Sequence, residues 1–347
     1  MSVWPSRHRV VHWLWWSRDP LARLARILLL PAGGLYRLGM LARARAYRRG
    51  WARVRPLPLP SVAVGNLSVG GAGKTPLAAW IAAFYARRGV RPGILLRGYG
   101  HDEHLVHQRL VPEAVVVPDP DRIAGAHRAM AAGAGVLVLD DAYQRLNVAR
   151  DVNVAVVNTE NARAVRWPLP AGPWRVGWGA LGRADVIVVT RRRTPRDEAM
   201  RLGAGLARRW PNTVVAAAHL RLVEFRGLVS GCRRPLDVVA GRRVVAAAGV
   251  ADPASFAVQI RGLGASVQLL AYQDHHAYSQ RDVQRLVRGA AEVDYVVVTE
   301  KDAVKLRHRW PAPAREPLVA VLAVEWEWNG EAVERVLVAL TARVDAS

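Results

Sequence analysis

A glycine-rich loop between an apolar run and an amphipathic run constrains the fold of this chain most strongly. Ser61-Val-Ala-Val64 predicts a short buried strand, and Leu77, Trp80, Ile81, Phe84 and Tyr85 recur at the spacing of a helix. Between them lies Gly65-Asn-Leu-Ser-Val-Gly-Gly-Ala-Gly-Lys-Thr75. A strand, a glycine loop and a helix in this order are typical of a phosphate-binding loop, or P-loop. The sequence therefore predicts a nucleotide-binding α/β domain.

Different residues of the loop are expected to bind different parts of a nucleotide triphosphate and its metal ion. Glycines let backbone N–H groups converge on a phosphate, and the start of the helix adds a positive dipole. Lys74 is expected to reach the β- and γ-phosphates, and the Thr75 hydroxyl is expected to bind Mg²⁺. The predicted nucleotide-binding set is Ser68, Gly70, Gly71, Ala72, Gly73, Lys74 and Thr75, with Ser68 where the motif usually has its first glycine.

Two further segments carry acids where phosphoryl transfer needs them. An apolar run at 135–139 ends in Asp140-Asp141, which predicts carboxylates beside Mg²⁺, although a strand-end aspartate can also be a simple cap. Asp102-Glu103 follows a predicted strand at 94–96 and the turn Arg97-Gly-Tyr-Gly100. A carboxylate there could accept a hydroxyl proton, or it could be a solvated loop acid.

The remaining pattern predicts an α/β fold. Apolar runs at 152–157, 185–190 and 213–218 extend a mostly parallel P-loop sheet. A polar stretch at 221–226 is interpreted as β-stranded linker, and strands and helices then alternate again from 244 to 299 in a second, smaller α/β domain. The predicted divisions are 1–55 (helical, N-terminal), 56–218 (P-loop), 219–330 (second domain with linker strands) and 331–347 (C-terminal helix).

The N-terminal segment is strongly basic and apolar at once. The chain has a formal charge of +22, and residues 1–55 hold twelve arginines against one acid, Asp19. Leucines recur at helical spacing on both sides of a break expected at Pro31 and Gly33-Gly34, so an amphipathic helix on an anionic membrane surface is favoured. Packing on the protein's own core and a nucleic-acid arm are the alternatives. The apolar face of this segment argues against nucleic acid, because phosphate binding needs charge and not an apolar face. The chain contains no run of 18 uncharged apolar residues, so a membrane-spanning helix is not predicted.

Lysine is rare in this chain. Of the 50 basic Lys and Arg residues, only Lys74, Lys301 and Lys305 are lysines. Genome base composition is the simplest interpretation of the arginine excess. A chain that has nearly replaced lysine is expected to keep it where an ammonium group is needed.

Several unlinked motifs together resemble one known family. They are Val64–Pro76, Arg97–Gly100, Asp140-Asp141 with Gln144, Leu169-Pro-Ala-Gly-Pro173, Asp274-His275-His276 and Thr299-Glu-Lys-Asp-Ala-Val-Lys305. In this order, over nearly the whole chain, they resemble the tetraacyldisaccharide 4'-kinases of Gram-negative lipid A biosynthesis.

The resemblance implies transfer of the ATP γ-phosphate to the 4'-hydroxyl of a tetraacyldisaccharide 1-phosphate, with Mg²⁺, at the cytoplasmic face of the inner membrane. It implies a peripheral enzyme of two α/β domains with the active site in their cleft. Asp102 matches the family's catalytic carboxylate, and His275 matches a histidine of the second domain, expected to approach Asp102 only when the cleft closes.

Some positions depart from the family pattern. His101 and His104 flank Asp102-Glu103 where Gly and Pro are usual, and Ala142 and Arg145 stand where Gly and His are usual. A kinase for another glycolipid is therefore an alternative. A P-loop GTPase is a second one, although Thr299-Glu-Lys-Asp302 places its lysine one position late for guanine recognition. Binding of nucleic acid is not expected.

Overall fold

The computed structural model describes residues 6–98, 102–162 and 166–342, and within these ranges it contains twelve α-helices. The helices are α1 Ser6–Trp16, α2 Pro20–Leu28, α3 Leu30–Arg48, α4 Lys74–Ala86, α5 Glu103–Leu110, α6 Arg122–Ala131, α7 Thr159–Ala162, α8 Arg196–Arg209, α9 Pro253–Arg261, α10 Gln280–Glu292, α11 Glu300–Leu306 and α12 Gly330–Ala342. Single 3₁₀ turns lie at Trp178–Arg183 and Leu236–Val239.

The strands alternate with these helices along most of the chain. They are β1 Ser61–Asn66, β2 Pro92–Leu96, β3 Val115–Pro118, β4 Val136–Leu139, β5 Val152–Asn158, β6 Val186–Arg191, β7 Val214–Gly227, β8 Arg233–Arg234, β9 Arg243–Ala248, β10 Ser266–Ala271, β11 Tyr295–Thr299 and β12 Leu318–Trp328. The α/β class with mostly parallel pairing, as predicted from the sequence, is confirmed.

The chain divides into two compact units. In the described residues, the larger unit comprises 10–98, 107–219 and 324–342, and the smaller unit comprises 6–9, 102–106 and 220–323. Asp102 thus belongs to the same unit as His275, which differs from the expected placement of Asp102 within the P-loop domain 56–218.

The larger unit is built on parallel strands in the order β3-β2-β4-β1-β5-β6, followed by the first half of β7. Strand β1 is buried at every position and lies between β4 and β5. Because parallel strands present their carboxyl ends at one edge, the segments that follow β1 and β4 emerge side by side. The P-loop and Asp140-Asp141 are those two segments.

The smaller unit contains a parallel set in the order β10-β9-β11, with the first half of β12 beside β11. Strand β9 is buried from Val244 onward, and α9 and α10 supply apolar side chains to its two cores. The segments after β9 and β11 carry Gly249 and the start of α11 and therefore emerge at one edge.

Residues 221–226 are β-stranded, as expected, and form the second part of β7, a single strand of 14 residues. One local expectation is corrected. The N-terminal break lies at Leu29, before Pro31 and Gly33-Gly34, because proline in a first helical turn needs no N–H partner. The glycines stay helical, and a Cβ on Gly33 would lie only 3.1 Å from Pro168 Cγ.

No single helix in the described ranges is long and apolar enough to cross a bilayer. Helices α2 and α3 satisfy the length and composition criteria only as a pair bent by 49°.

Candidate active site

The P-loop leaves β1 and wraps into the first turn of α4. Gly70 and Gly73 adopt the positive φ values of 118° and 87°, which glycine reaches without steric cost. Gly73 is the N-cap of α4 and has no side chain to occupy the helix start, so the first N–H groups of the helix can receive a phosphate. Thr75 lies in this first turn and is buried.

A second loop supports the P-loop from one side. The Val69 N–H donates to the carbonyl of Pro173 at 2.7 Å, and Ser68 forms an isolated bridge with Trp174. From the end of β6, the Thr190 hydroxyl donates to the carbonyl of Ala72 at 2.9 Å. These bonds fix the loop backbone before any ligand arrives, which is the preorganisation that a phosphate cradle requires.

Lys74 and Asp141 meet at the mouth of this cradle. The Lys74 Nζ lies 3.4 Å from an Asp141 carboxylate oxygen and 3.4 Å from the side-chain oxygen of Asn66. Asp141 also lies 3.7 Å from an Arg175 guanidinium nitrogen, and its side chain is about half exposed. Its φ of 51° is left-handed, a conformation that aspartate tolerates better than most residues.

Asp140 has a different environment from its neighbour. It is 4% exposed, it accepts a hydrogen bond from the His107 Nε2 at 2.9 Å, and it accepts the Asp141 N–H at 2.8 Å. His107 is completely buried. The two acids of the motif are therefore not equivalent: Asp140 is held by protein groups, whereas Asp141 faces outward beside Lys74.

In the smaller unit, Asp102 and His275 form a direct contact. The His275 Nδ1 lies 3.2 Å from Asp102 Oδ1 although 173 residues separate them. The side chain of Asp102 is 3% exposed and that of His275 is 34% exposed. The pair thus has one enclosed member and one member that a ligand can reach.

The partners of this pair set its protonation. Burial by itself would raise the pKa of Asp102, but hydrogen bonds from His275 and Lys305 outweigh burial and hold that pKa at about 2. The hydrogen bond to Asp102 raises the pKa of His275, and the negative charge of Asp274 raises it further. Burial alone would lower this pKa. Asp102 is therefore a carboxylate at neutral pH.

The segment carrying His275 is held by the first turn of α11. The completely buried Asp302 accepts the Thr299 hydroxyl at 2.6 Å and the Gly249 N–H at 3.0 Å, and the Gly249 carbonyl accepts the His275 N–H at 3.2 Å. A Cβ on Gly249 would lie 2.9 Å from Asp302, so only glycine fits. His275 itself has a φ of 60°, an unfavourable conformation for histidine.

The structure thus brings together two groups of the residues singled out from the sequence. Lys74 contacts Asp141 in the larger unit, and Asp102 contacts His275 in the smaller one. Sequence reasoning missed His107 as the partner of Asp140, since a buried histidine within a helix has no recognisable motif. It also left Lys305 without a role, although the scarcity of lysine pointed to it. His101 lies outside the described residues.

Comparisons with known proteins identify the family of this chain. The family profile described as "Tetraacyldisaccharide-1-P 4'-kinase" matches residues 25–342. Proteins named tetraacyldisaccharide 4'-kinase are similar in Aromatoleum aromaticum, at 36% identity over 84% of this chain and 87% of the relative, and in Anaeromyxobacter sp. strain K, at 36% identity over 89% of each.

A solved structure is similar over most of its length. The crystal structure of LpxK from Aquifex aeolicus in complex with ATP has 24% identity and a TM-score of 0.71, covering 91% of this chain and 99% of that one. At this identity the likeness supports the fold. The profile match and the two relatives show that this chain belongs to the tetraacyldisaccharide-1-P 4'-kinase family.

Proposed function

We propose that this chain transfers the γ-phosphate of ATP to the 4'-hydroxyl of a tetraacyldisaccharide 1-phosphate. Phosphoryl transfer needs positioning of the phosphates, neutralisation of charge and an acceptor for the hydroxyl proton. The P-loop supplies the first two, and the contact between Asp102 and His275 is the observation that carries the third. The reaction class and acceptor follow from the family to which the chain belongs.

The triphosphate is assigned to Ser68, Gly70, Gly71, Ala72, Gly73, Lys74 and Thr75. Lys74 has the compact charge needed to stabilise negative charge that develops on the transferred group. Replacing Lys74 by alanine removes that charge, and kcat is expected to fall by roughly 10²-fold or more. Wild-type turnover in both Lys74→Ala and Thr75→Ala would contradict the assignment.

A magnesium ion fits the oxygen donors of Thr75, Asp140 and Asp141. Mg²⁺ prefers oxygen ligands and is usually held by one or two carboxylates together with substrate phosphates. In the described part of the chain, no group of three or more His, Cys, Asp or Glu side chains could hold a metal ion. When bound, the ion would neutralise charge on the β- and γ-phosphates.

The two acids are expected to differ when each is replaced. Asp141 is half exposed and faces outward, whereas Asp140 is buried against His107. Asp141→Asn should therefore raise the Mg²⁺ concentration for half-maximal turnover. Asp140→Asn should lower kcat and stability together, because the buried contact between His107 and the carboxylate at 2.9 Å is lost. Equal Mg²⁺ requirements in wild type and Asp141→Asn would remove Asp141 from the metal site.

The proton is assigned to the Asp102–His275 pair as a unit. Asp102 is nearly enclosed and His275 is a third exposed, so the imidazole is the member that a sugar hydroxyl reaches more readily. The carboxylate orients the ring and stabilises the imidazolium that forms. With this pair, either single substitution removes the same function.

The decisive assay follows 4'-phosphate formation from ATP–Mg²⁺ and tetraacyldisaccharide 1-phosphate. Asp102→Asn and His275→Ala are each expected to lower kcat by roughly 10²-fold with little change in ATP affinity. The double variant should be only slightly worse than the worse single variant, since coupled groups are not additive. Full activity in Asp102→Asn would refute the assignment. Replacing ATP by GTP, or the acceptor by another glycolipid, tests the alternative functions directly.

The N-terminal segment is proposed as a membrane-surface element. Helices α2 and α3 leave large apolar side chains exposed beside arginines; those side chains are Leu21, Leu24, Ile27, Leu28, Leu35, Leu38 and Leu41. Helix α2 and the preceding α1 also contact their own unit: Ala22 of α2 is fully buried, and the Trp15 Nε1 of α1 donates to the carbonyl of Pro170 at 3.0 Å. An anionic membrane surface at the cytoplasmic face of the inner membrane suits the exposed side of α2 and α3.

Point variants test this proposal better than truncation, because deleting residues 1–50 would also uncover the surface on which these helices pack. The double variant of Leu35→Glu and Leu38→Glu should bind anionic vesicles at least tenfold more weakly, with unchanged ATP binding. The matched control is Val338→Glu, an exposed apolar position on α12. Equal vesicle binding by the double variant and the control would sink the membrane assignment.

A further inference from the structure

Lys305 contacts both halves of the Asp102–His275 region. Its Nζ lies 2.9 Å from Asp102 Oδ2, the carboxylate oxygen that does not face His275. The same Nζ donates to the carbonyl of His276 at 3.2 Å. One ammonium group therefore links residue 102 to the segment that carries the histidine.

The surroundings of Lys305 make this contact a demanding one. The side chain of Lys305 is 13% exposed, and that of Asp102 is 3% exposed. Removing one partner of an enclosed ion pair of this kind is costly, because the other charge is then left uncompensated. A compact ammonium can contact a carboxylate and a carbonyl at once, whereas the wide planar guanidinium of arginine has a different donor geometry.

Composition supports the same conclusion independently. In a chain with 47 arginines, lysine survives at three positions, and Lys305 is one of them. The neighbouring Lys301 lies four residues earlier on α11 and 3.9 Å from Glu103 rather than from Asp102. Each lysine of this helix thus faces a different acid of the pair at 102–103.

We propose that Lys305 is a positioning residue that completes a His275–Asp102–Lys305 triad and tunes when the pair can accept a proton. This inference rests on the function proposed above for the pair. Lys305 holds the carboxylate in the orientation that His275 requires, and its positive charge opposes a proton on the pair. Lys305 touches neither the hydroxyl nor the phosphate in this assignment.

The pKa of His275 depends on all the charged groups around the Asp102–His275 pair. Asp102 is faced by His275 from the β10–α10 segment and by Lys305 from α11. The further charged groups around the pair are Glu103, Asp274, Lys301 and, behind Lys305, Asp302. Removal of the Lys305 charge leaves the acids in excess, so the imidazole should hold its proton to higher pH.

Two measurements test this proposal: the titration of His275 by NMR and the dependence of kcat/KM on pH. In Lys305→Met, the His275 imidazole, assigned by NMR through its loss in His275→Gln, should titrate about one pH unit higher than in wild type. The acid limb of the profile of kcat/KM against pH should move upward with it. Lys305→Arg, which keeps the charge, should retain most of the wild-type limb.

Two controls separate positioning from a general loss of charge or fold. Arg307→Met removes an exposed positive charge from the end of the same helix and should move neither readout. In an Asp102→Asn background, the shift of His275 caused by Lys305→Met should differ from the shift in the wild-type background, because part of the effect of the lysine passes through the carboxylate. Equal shifts in both backgrounds would reduce Lys305 to a through-space charge and overturn its positioning role. If Lys305→Met does not fold, Lys305→Gln, which can still donate to the His276 carbonyl, replaces it.

The outcomes distinguish the triad from the proposed function. An unchanged His275 titration and acid limb in Lys305→Met, with turnover lost in Asp102→Asn, would overturn the role of Lys305 alone. A shifted His275 titration with full turnover in Asp102→Asn would instead leave the contact intact and remove the pair from the reaction.

Discussion

Replacing Asp102 by asparagine should destabilise the protein in a way that depends on pH. The ordinary pKa of this carboxyl group is 3.8, and the folded protein holds it at about 2. A difference of one unit between the pKa values in the folded and unfolded states corresponds to about 1.4 kcal/mol. Because Asp102 is 2% exposed, solvent screens the effect little, and the ionised carboxylate contributes about 2 kcal/mol at pH 7.

The sign of this contribution fixes the test. A carboxyl group with a lowered pKa stabilises the fold fully above 3.8, and the stabilisation is lost as the pH falls through 2. Urea unfolding followed by circular dichroism should therefore show Asp102→Asn less stable than wild type by about 2 kcal/mol at pH 7 and by about 1 kcal/mol at pH 3. Glu113→Gln, at an exposed position, serves as the matched control and should show no such trend.

An equal loss at both pH values would refute the reasoning. The destabilisation would then come from altered packing around residue 102 and not from the charge that His275 and Lys305 stabilise. No loss at pH 7 would show that the attraction of those partners only balances the cost of burying the carboxylate.

Two further predictions concern the core of the larger unit. Gly65→Ala should lower the free energy of unfolding by about 1–3 kcal/mol, because the new Cβ would lie 2.6 Å from the Cβ of Tyr143. The control Gly34→Ala, with no atom within 4 Å of its Cβ, should not destabilise the protein, and equal stabilities of the two variants in chemical denaturation would contradict the close approach. Tyr85→Phe should cost about 1 kcal/mol by the same measurement, because the buried hydroxyl donates to the carbonyl of Leu337 at 2.9 Å, and an unchanged midpoint would mean that this bond adds nothing.

The elements of the larger unit were predictable where local pattern and burial agree. The run Ser61–Val64 is entirely apolar apart from its first residue, and it became β1, buried on both faces. Lys74 and Asp141 could be assigned to one site because parallel strands deliver the segments after β1 and β4 to the same edge. Such predictions need only the period of the pattern and a rule of topology.

The other features depend on partners distant in sequence. Nothing local in 213–227 shows that the strand continues through the polar residues Arg221 and Glu224, since continuation is decided by neighbouring strands. Asp102 lies between β2 and α5 in sequence, and its approach to His275 was expected only from the family resemblance, because no local pattern connects residues 173 positions apart. The buried partnership of His107 with Asp140 was hidden for the same reason, because a helical histidine is equally typical of an exposed face.

The scarcity of lysine has a practical consequence for chemical labelling. The only side-chain amines of the chain are those of Lys74, Lys301 and Lys305, with 17%, 28% and 13% of their side chains exposed. An amine-reactive reagent therefore has few targets besides the chain terminus, and each lies in the P-loop or beside Asp102-Glu103. Acylation followed by peptide mass mapping therefore reports on residues of the two candidate groups, and nucleotide is expected to protect Lys74. Coupling this protein to a surface through its side-chain amines would attach it through those same residues.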